Sequence, residues 1–171
     1  MKKRSKGKIL VIGDLMVDKY IFGKINGISY EAPIPLVEVN QTEMKIGGAG
    51  NVIENAALLG ASVYVVGVIG NDNEGKMIKD NLKKMKINSQ GVITDKKIKT
   101  LVRSRVIVEN HQISRFDEAG INLHGAFEKK IKILIKKILP KVNCIIICDY
   151  GKGLINKNII DIIKRTKNKK S

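Results

Sequence analysis

A glycine-rich segment that leads directly into a helix-forming stretch is the feature that most limits how this chain can fold. Lys45-Ile-Gly-Gly-Ala-Gly-Asn51 is followed by Val52-Ile-Glu-Asn-Ala-Ala-Leu-Leu59. Glycine allows a close approach of ligand to backbone, and the first amides of a helix have no partner inside it. The helix dipole is positive at the same end, so the segment suits an oxygen-rich or anionic ligand, with Asn51 as an added donor and acceptor. The alternative is a tight turn into an ordinary helix.

Apolar runs alternate with amphipathic segments along the 171 residues. Lys8-Ile-Leu-Val-Ile-Gly-Asp14 has the composition of a strand that is buried on both faces of a parallel sheet. Further strands are predicted at 63–69, 91–94, 101–108, 112–116 and 144–148, and helices at 52–59, 74–86, 126–139 and 156–165. This alternation predicts one α/β domain, with helices on both faces of the sheet.

Two short β-type runs lie between the first strand and the glycine-rich segment. Tyr20–Ile25 and Leu36–Asn40 are separated by a turn-forming region that contains Pro33 and Pro35. Proline suits an edge or a turn and not a central strand. We therefore predict a small β lid over about residues 19–40, off the main sheet.

Several polar residues are predicted to meet at one edge of the sheet, because ligands of open α/β sheets bind beyond the carboxyl ends of the strands. Asp14 follows the first strand, and Asp149-Tyr-Gly-Lys-Gly153 follows the last one. Carboxylates accept hydrogen bonds from neighbouring hydroxyls, which suits a polyol such as a sugar. Each Asp alone could instead cap a turn. The predicted set is Asp14, Asp18, Gly47, Gly48, Asn51, Asp149 and Lys152.

The charge balance raises the alternative of a nucleic-acid partner. The formal charge is +16, from 32 basic and 16 acidic residues. The lysines lie along predicted helix faces, and aromatic residues make up only 4% of the chain, which disfavours this class of partner. Arg103, Arg105 and Arg115 recur across the middle strands, where they could pair with phosphate or lie on solvated faces.

The two cysteines and the apolar runs indicate the cellular setting. Cys144 and Cys148 lie four residues apart on one predicted strand. At ~3.3 Å per residue they are about 13 Å apart, too far for a disulfide, so both are predicted to be buried and reduced. No His or Cys accompanies them, and no metal site is predicted. Because no apolar run is long enough to span a membrane, we expect a cytoplasmic protein with no membrane partner.

A P-loop pattern is matched except at its last position by Gly70-Asn-Asp-Asn-Glu-Gly-Lys-Met77. Met77 has no hydroxyl for Mg²⁺, and Asp72 and Glu74 would place negative charge where phosphates lie. The segment is therefore predicted to be a turn that caps the following helix.

Four segments carry a resemblance to a known family. They are Gly13-Asp-Leu-Met-Val-Asp18, Ile28-Ser-Tyr-Glu-Ala-Pro-Ile-Pro35, Gly47-Gly-Ala-Gly-Asn51 and Asp149-Tyr-Gly-Lys-Gly153. With them the chain resembles the ribokinase-like (PfkB) carbohydrate kinases. The second and fourth segments are most similar to the branch that acts on D-glycero-β-D-manno-heptose 7-phosphate. The likeness covers nearly the whole chain, but only about the amino-terminal half of the family's domain.

The resemblance implies a Rossmann-like three-layer α/β/α fold, truncated, with a β lid over the sugar. It implies that Asp14, Asp18, Gly47, Gly48 and Asn51 hold sugar hydroxyls, that Asp149 and Lys152 line the same pocket, and that Arg103 or Arg105 meets the substrate's own phosphate. The reaction implied for the intact enzyme is ATP-dependent, Mg²⁺-assisted phosphorylation of the heptose at its 1-hydroxyl, in lipopolysaccharide core synthesis.

The family's general base and anion hole belong to a Gly-Ala-Gly-Asp motif in its other half, and this sequence contains no such motif. The chain alone is therefore predicted to be catalytically incomplete, with no catalytic residue and no good binding of ATP or Mg²⁺. The partners implied are a sugar phosphate, a separately encoded carboxyl-terminal half and a second copy that pairs through the lid. The alternatives are another sugar kinase of the family, a non-catalytic sugar-binding remnant and a basic nucleic-acid binder.

Overall fold

The computed structural model describes residues 7–118 and 125–168, which contain eight strands and four helices. The strands are β1 (Lys8–Gly13), β2 (Leu15–Ile28), β3 (Pro35–Gly48), β4 (Ser62–Gly70), β5 (Asn88–Asp95), β6 (Leu101–Val108), β7 (His111–Glu118) and β8 (Cys144–Cys148). The helices are α1 (Ala49–Leu58), α2 (Asn73–Lys84), α3 (Glu128–Ile138) and α4 (Lys157–Asn168).

Strands β5, β4, β1 and β8, in that order, form a parallel sheet. Alternate residues of β1 face opposite sides of this sheet. Val11 packs in the apolar cluster that includes α1 and α2, and Leu10 and Ile12 pack in the cluster that includes α3 and α4. Because helices cover both faces of a parallel sheet, the predicted three-layer α/β/α architecture is confirmed, in truncated form.

The lid is a second sheet with the order β3, β2, β6, β7. Strands β2 and β3 have 14 residues each and pair antiparallel, so they are much longer than the two short runs predicted within 19–40. Strand β6 joins β2 in parallel, and β7 returns antiparallel to β6. Strands β6 and β7 were predicted from the sequence as strands but not as parts of the lid, because an apolar run shows that a strand forms and not which sheet it joins.

The base of the lid continues the core of the domain. Asp14 is the single residue between β1 and β2, and Leu15, Met16 and Val17 behind it are all buried. Ile46, near the end of β3, lies in the same apolar cluster as Val17. The main sheet and the lid are therefore joined through packed residues and not by a free linker.

Strand β8 is an edge of the parallel sheet, and this corrects one prediction. Cys144 is exposed, whereas Cys148 is buried, and both are free thiols. Both cysteines were predicted to be buried, as in a strand that helices cover on both faces and that pairs with a strand on each edge. Within the described residues no strand pairs with the outer side of β8, so Cys144, at its start, remains open to solvent.

The part of the chain that the structure describes contains no helix with the length and apolar character needed to cross a membrane.

Candidate functional site

The carboxylate of Asp14 stands where the main sheet meets the lid. Its Oδ2 accepts hydrogen bonds from the backbone amides of Tyr150 (2.9 Å) and Lys152 (3.3 Å). Its Oδ1 is buried and has no hydrogen-bond partner among residues 7–118 and 125–168. Burial raises the pKa of Asp14, and the two amide hydrogen bonds offset part of that rise. One oxygen is therefore fixed by the protein, while the other has unused accepting capacity.

The backbone of Asp14 also ties the start of α1 to the last strand. The Asp14 amide donates to the carbonyl of Cys148 (3.2 Å), and the amide of Ala49 donates to the carbonyl of Asp14 (2.9 Å). Gly48 precedes α1 with φ 58°, a conformation that favours glycine, and a Cβ there would overlap the Asp14 carbonyl. The glycine-rich start of α1 therefore lies against Asp14, as expected for the carboxyl edge of the sheet.

Asp18 lies in the lid and is paired with Arg105. The Arg105 Nη1 donates to Asp18 Oδ1 at 2.7 Å, and Asp18 is only 3% exposed. Burial opposes the charge of Arg105, but its hydrogen bond with Asp18 and the attraction of nearby negative charges, Asp18 first, together outweigh that penalty and raise the pKa of Arg105. A Cβ at Gly47 would overlap the Asp18 carboxylate, so Gly47 leaves the space that this carboxylate occupies.

The turn that follows β8 is folded back towards Asp14. Asp149 Oδ1 accepts a hydrogen bond from the amide of Gly151 (2.9 Å), and Gly151 and Gly153 have φ values of 71° and 87°. This shape brings the backbone amides of the turn to Asp14. The Asp149 side chain itself is exposed and bonds to its own turn, and Lys152 is half-buried.

Arg103 and Arg115 converge on Asp117. Arg103 Nε donates to Asp117 Oδ1 (3.3 Å), and Arg115 donates through Nε and Nη2 to Oδ1 and Oδ2 (3.1 and 3.2 Å). The guanidinium of Arg103 lies 5.8 Å from the ring centroid of Tyr150. Asp117 and Tyr150 had no role predicted from the sequence, although the spacing of Arg115 and Asp117 along β7 places both on one face of the strand.

The structure brings most of the predicted residues to one edge, in two groups. The first group surrounds Asp14 and comprises Gly48 and the turn 149–153. The second lies on the lid face and comprises Asp18 with Arg105, and Arg103 with Asp117. Lys152 lines the same groove as Arg103 and Asp117, which connects the two groups. Asn51 lies in the first turn of α1 and is exposed.

The P-loop-like segment is a capped turn, as predicted. Asp72 is the N-cap of α2, and its Oδ1 accepts a hydrogen bond from the amide of Gly75 (2.8 Å). The amide and hydroxyl of Thr100 also donate to this carboxylate (2.7 and 2.6 Å). The amides that a P-loop would offer to phosphate therefore face a carboxylate of the protein. Burial opposes this charge, but the hydrogen bonds from Thr100 and Gly75 outweigh it and lower the pKa of Asp72.

Replacement of Asp72 by Ala is expected to lower the free energy of unfolding by about 1–3 kcal/mol, through loss of the cap and of the partners of Thr100. Because the pKa of Asp72 is lowered in the folded state, this contribution is present above the unfolded-state pKa and is lost as the pH falls through the folded-state pKa. Urea titrations at pH 7 and at acid pH measure it. Asp80→Ala removes an exposed carboxylate from the same helix as a control. An equal loss in both variants would contradict the assignment.

No group of three or more His, Cys, Asp or Glu side chains that could hold a metal ion occurs within the described ranges.

Comparison with known proteins identifies the family. The model of the pfkB family carbohydrate kinases matches residues 6–142. The chain therefore belongs to the pfkB family of carbohydrate kinases, which confirms the resemblance seen in the motifs.

Comparison with curated proteins shows which members of the family this chain resembles in sequence. The chain is 40% identical over 168 residues to the bifunctional protein HldE of Aliarcobacter butzleri, covering 98% of this chain and 35% of that protein. It is 39% identical over 157 residues to the bifunctional protein HldE of Helicobacter hepaticus, covering 91% of this chain and 33% of that protein. The chain thus spans about a third of the length of these relatives, in their amino-terminal region.

Solved structures show the same fold. Arabidopsis thaliana ribokinase complexed with ribose and ATP gives a TM-score of 0.75 at 18% identity, over 95% of this chain and 52% of that one. A carbohydrate kinase from Agrobacterium tumefaciens gives a TM-score of 0.64 at 15% identity, over 82% of this chain and 45% of that one. At these identities the likeness shows the ribokinase-like fold alone.

Proposed function

We propose that this chain is the sugar-binding, amino-terminal half of a kinase for D-glycero-β-D-manno-heptose 7-phosphate. The observation that carries the proposal is the Asp14 carboxylate, with one oxygen held by two backbone amides and the other buried without a partner. A buried, unsatisfied acceptor costs about 1–3 kcal/mol, which a sugar hydroxyl would recover. Because Oδ1 is out of contact with solvent, a neighbouring group has to move before a sugar hydroxyl can reach it.

The neighbouring groups complete a polyol site. Asp18 is the second buried carboxylate of this edge, Gly47 leaves room for that carboxylate, and Gly48 lets the start of α1 approach the backbone carbonyl of Asp14. Asn51 offers an exposed amide at the start of α1, and Asp149 and Lys152 belong to the turn whose amides hold Asp14. Arg103 or Arg105 binds the phosphate that the substrate already carries. In this arrangement the protein fixes the ring and presents its 1-hydroxyl.

In the intact enzyme the 1-hydroxyl attacks the γ-phosphate of ATP, in the cytoplasmic synthesis of heptose for the lipopolysaccharide core. Intact enzymes of this kinase family use ATP and Mg²⁺. In this chain the P-loop-like turn does not fit a phosphate, because the carboxylate of Asp72 occupies its amides. The contribution proposed for residues 1–171 is binding and orientation of the sugar, and the nucleotide side belongs to the part of the family's domain that these residues do not include.

A second copy of the chain is the other proposed partner, through the lid. The lid exposes apolar side chains that are rare on a solvated surface, including Ile25, Ile28, Ile34, Leu36 and Val39. Pairing of two lids would remove them from water and would cover the open sheet edges.

Calorimetric titration of the purified chain with a panel of sugar phosphates tests the proposed substrate. We expect D-glycero-D-manno-heptose 7-phosphate to bind most tightly, with ribose 5-phosphate and fructose 6-phosphate at least about tenfold weaker, the difference that one lost hydrogen bond to a charged group produces. Preference for another sugar phosphate would assign the chain to a different kinase of the family.

A kinase assay tests the proposed incompleteness. The purified chain with ATP, Mg²⁺ and the heptose phosphate is expected to transfer no phosphate, and addition of a carboxyl-terminal half from a relative is expected to restore transfer. Phosphate transfer by the chain alone would contradict the proposal that this chain only binds and orients the sugar.

A further inference from the structure

The carboxylate of Glu128, at the first position of α3, connects this helix to the start of α4. Its Oε2 accepts a hydrogen bond from the side-chain amide of Asn156 (3.2 Å), and the side-chain amide of Asn158 donates to Oε1 and Oε2 (3.1 and 3.2 Å). Lys132, one helical turn along α3, pairs with Oε1. The hydrogen bonds from Lys132 and Asn158 lower the pKa of Glu128, so the carboxylate is an acceptor at neutral pH.

Asn156 is held at both ends of its side chain. Its Oδ1 accepts a hydrogen bond from the amide of Ile159 (3.0 Å), as the side chain of an N-cap residue does, while its Nδ2 donates to Glu128. Its backbone carbonyl accepts from the amides of Ile159 and Ile160 (both 3.1 Å). The position of Asn156 is therefore fixed by α4 on one side and by α3 on the other.

The segment between the turn 149–153 and α4 is fixed at the same place. Leu154 is 2% exposed and packs in the same apolar cluster as Phe127 and Ile131 of α3. Within residues 7–118 and 125–168, every hydrogen bond that joins the segment 153–160 to another part of the chain ends on Glu128. Strand β8 therefore holds the upstream end of the turn, and α3 holds its downstream end.

The turn needs both ends fixed because its own backbone is permissive. Gly151 and Gly153 have positive φ values, and glycine has access to many other conformations. Between and beside them, the amides of Tyr150 and Lys152 donate to Oδ2 of Asp14. A displacement of the downstream end would therefore change the amide hydrogen bonds that orient the Asp14 carboxylate.

We propose that Glu128 is a positioning residue of the sugar site, which acts through Asn156 and the turn 149–153 on the carboxylate of Asp14. This inference rests on the proposed function and adds to it a residue that lies on another helix and touches no sugar. Glu128 differs in this from the residues assigned to the site, which lie at the carboxyl edge of the sheet or on the lid.

The test measures two properties of the full chain. Calorimetric titration gives the affinity for D-glycero-D-manno-heptose 7-phosphate, and ¹H–¹⁵N correlation spectra of the free chain report the Tyr150 and Lys152 amides. The variants are Glu128→Ala, Glu128→Gln and Lys132→Gln. Asp80→Ala removes a carboxylate from an exposed position on α2 as the matched control. Thermal melts establish that each variant is folded.

We expect Glu128→Ala to weaken binding of the sugar phosphate by roughly 3- to 10-fold, the effect of one weakened hydrogen bond. The Tyr150 and Lys152 amide protons move upfield in this variant, because their hydrogen bonds to Asp14 lengthen. Glu128→Gln keeps one oxygen as an acceptor and recovers part of both effects. Lys132→Gln leaves the affinity and these two resonances as in the wild type, because the asparagine contacts remain. Asp80→Ala changes neither.

Different results overturn different claims. If the wild-type chain does not bind the sugar phosphate, the proposed function fails, and this inference fails with it. If Glu128→Ala and Glu128→Gln are folded and bind as tightly as the wild type, or more tightly, the inference fails while the sugar site stands. Unchanged Tyr150 and Lys152 resonances would show that Glu128 stabilises α3 and α4 without reaching Asp14. An equal loss of affinity in Lys132→Gln or in Asp80→Ala would exclude the route through Asn156.

Discussion

Replacement of Asp14 by Asn is expected to weaken sugar binding by about 100-fold or more while the chain stays folded. The Asn side-chain oxygen can still accept the amide hydrogen bonds of Tyr150 and Lys152. Its amide nitrogen then takes the place of Oδ1, and a donor replaces the acceptor that a sugar hydroxyl needs.

The expected change in stability of the Asp14→Asn variant has a definite sign. The pKa of Asp14 is raised in the folded state, so its ionisation costs stability above the folded-state pKa and costs nothing below the unfolded-state pKa. Asn carries no charge, and we therefore expect the midpoint of thermal unfolding at pH 7 to be unchanged or higher than in the wild type. Calorimetric titration and thermal melts measure the two effects, with Asp80→Asn as the exposed control. A large fall in the melting temperature would mean that the Asp14 charge serves the fold and not the ligand.

Replacement of Arg105 by Ala is expected to produce the second large effect, a fall in the free energy of unfolding. Removing one member of a buried pair leaves an uncompensated charge, which costs about 3–5 kcal/mol when burial is complete. Asp18 is buried, but the side chain of Arg105 is 20% exposed. We therefore expect the free energy of unfolding to fall by about 2–4 kcal/mol, together with weaker sugar binding, since Asp18 loses its fixed position.

A double-mutant cycle separates the ion pair from simple loss of side-chain packing. Asp18→Asn combined with Arg105→Gln removes both charges and keeps the shapes, so we expect this double variant to be more stable than Arg105→Ala. Arg165→Ala, on the exposed side of α4, is the matched control and should change the unfolding midpoint very little. If Arg105→Ala behaves like Arg165→Ala in urea titration, the pair contributes nothing to the fold.

Much of the fold could be predicted from the sequence, because it depends on the chemistry of residues that are close together in the chain. The run Lys8 to Asp14 predicts a buried parallel strand because every position from Ile9 to Ile12 is apolar, and both faces of β1 are indeed covered by helices. The cap at Asp72 follows from the preference of a short acidic side chain for the first turn of a helix. The position of Asp14 follows from the rule that parallel strands end at a common edge.

Contacts between segments that are distant in the sequence could not be predicted in this way. Which side chains share Asp117 depends on the register of β6 against β7, and the amide hydrogen bonds to Asp14 come from residues 136 and 138 positions later. The exposure of Cys144 follows from the edge position of β8 among the strands of residues 7–118 and 125–168, which composition does not encode. The extent of the lid was missed because polar residues such as Lys19 and Glu43 continue the strands beyond their apolar parts.

The position of Asp14 between the two sheets has a mechanical consequence. The same residue that offers an acceptor to a ligand is the pivot from which the lid leaves the main sheet, and its backbone also fixes the first amide of α1 and the end of β8. The side-chain chemistry of Asp14 and the junction of the two sheets therefore depend on the same residue. A substitution that displaces the Asp14 backbone is therefore expected to displace the start of α1 and the end of β8 together.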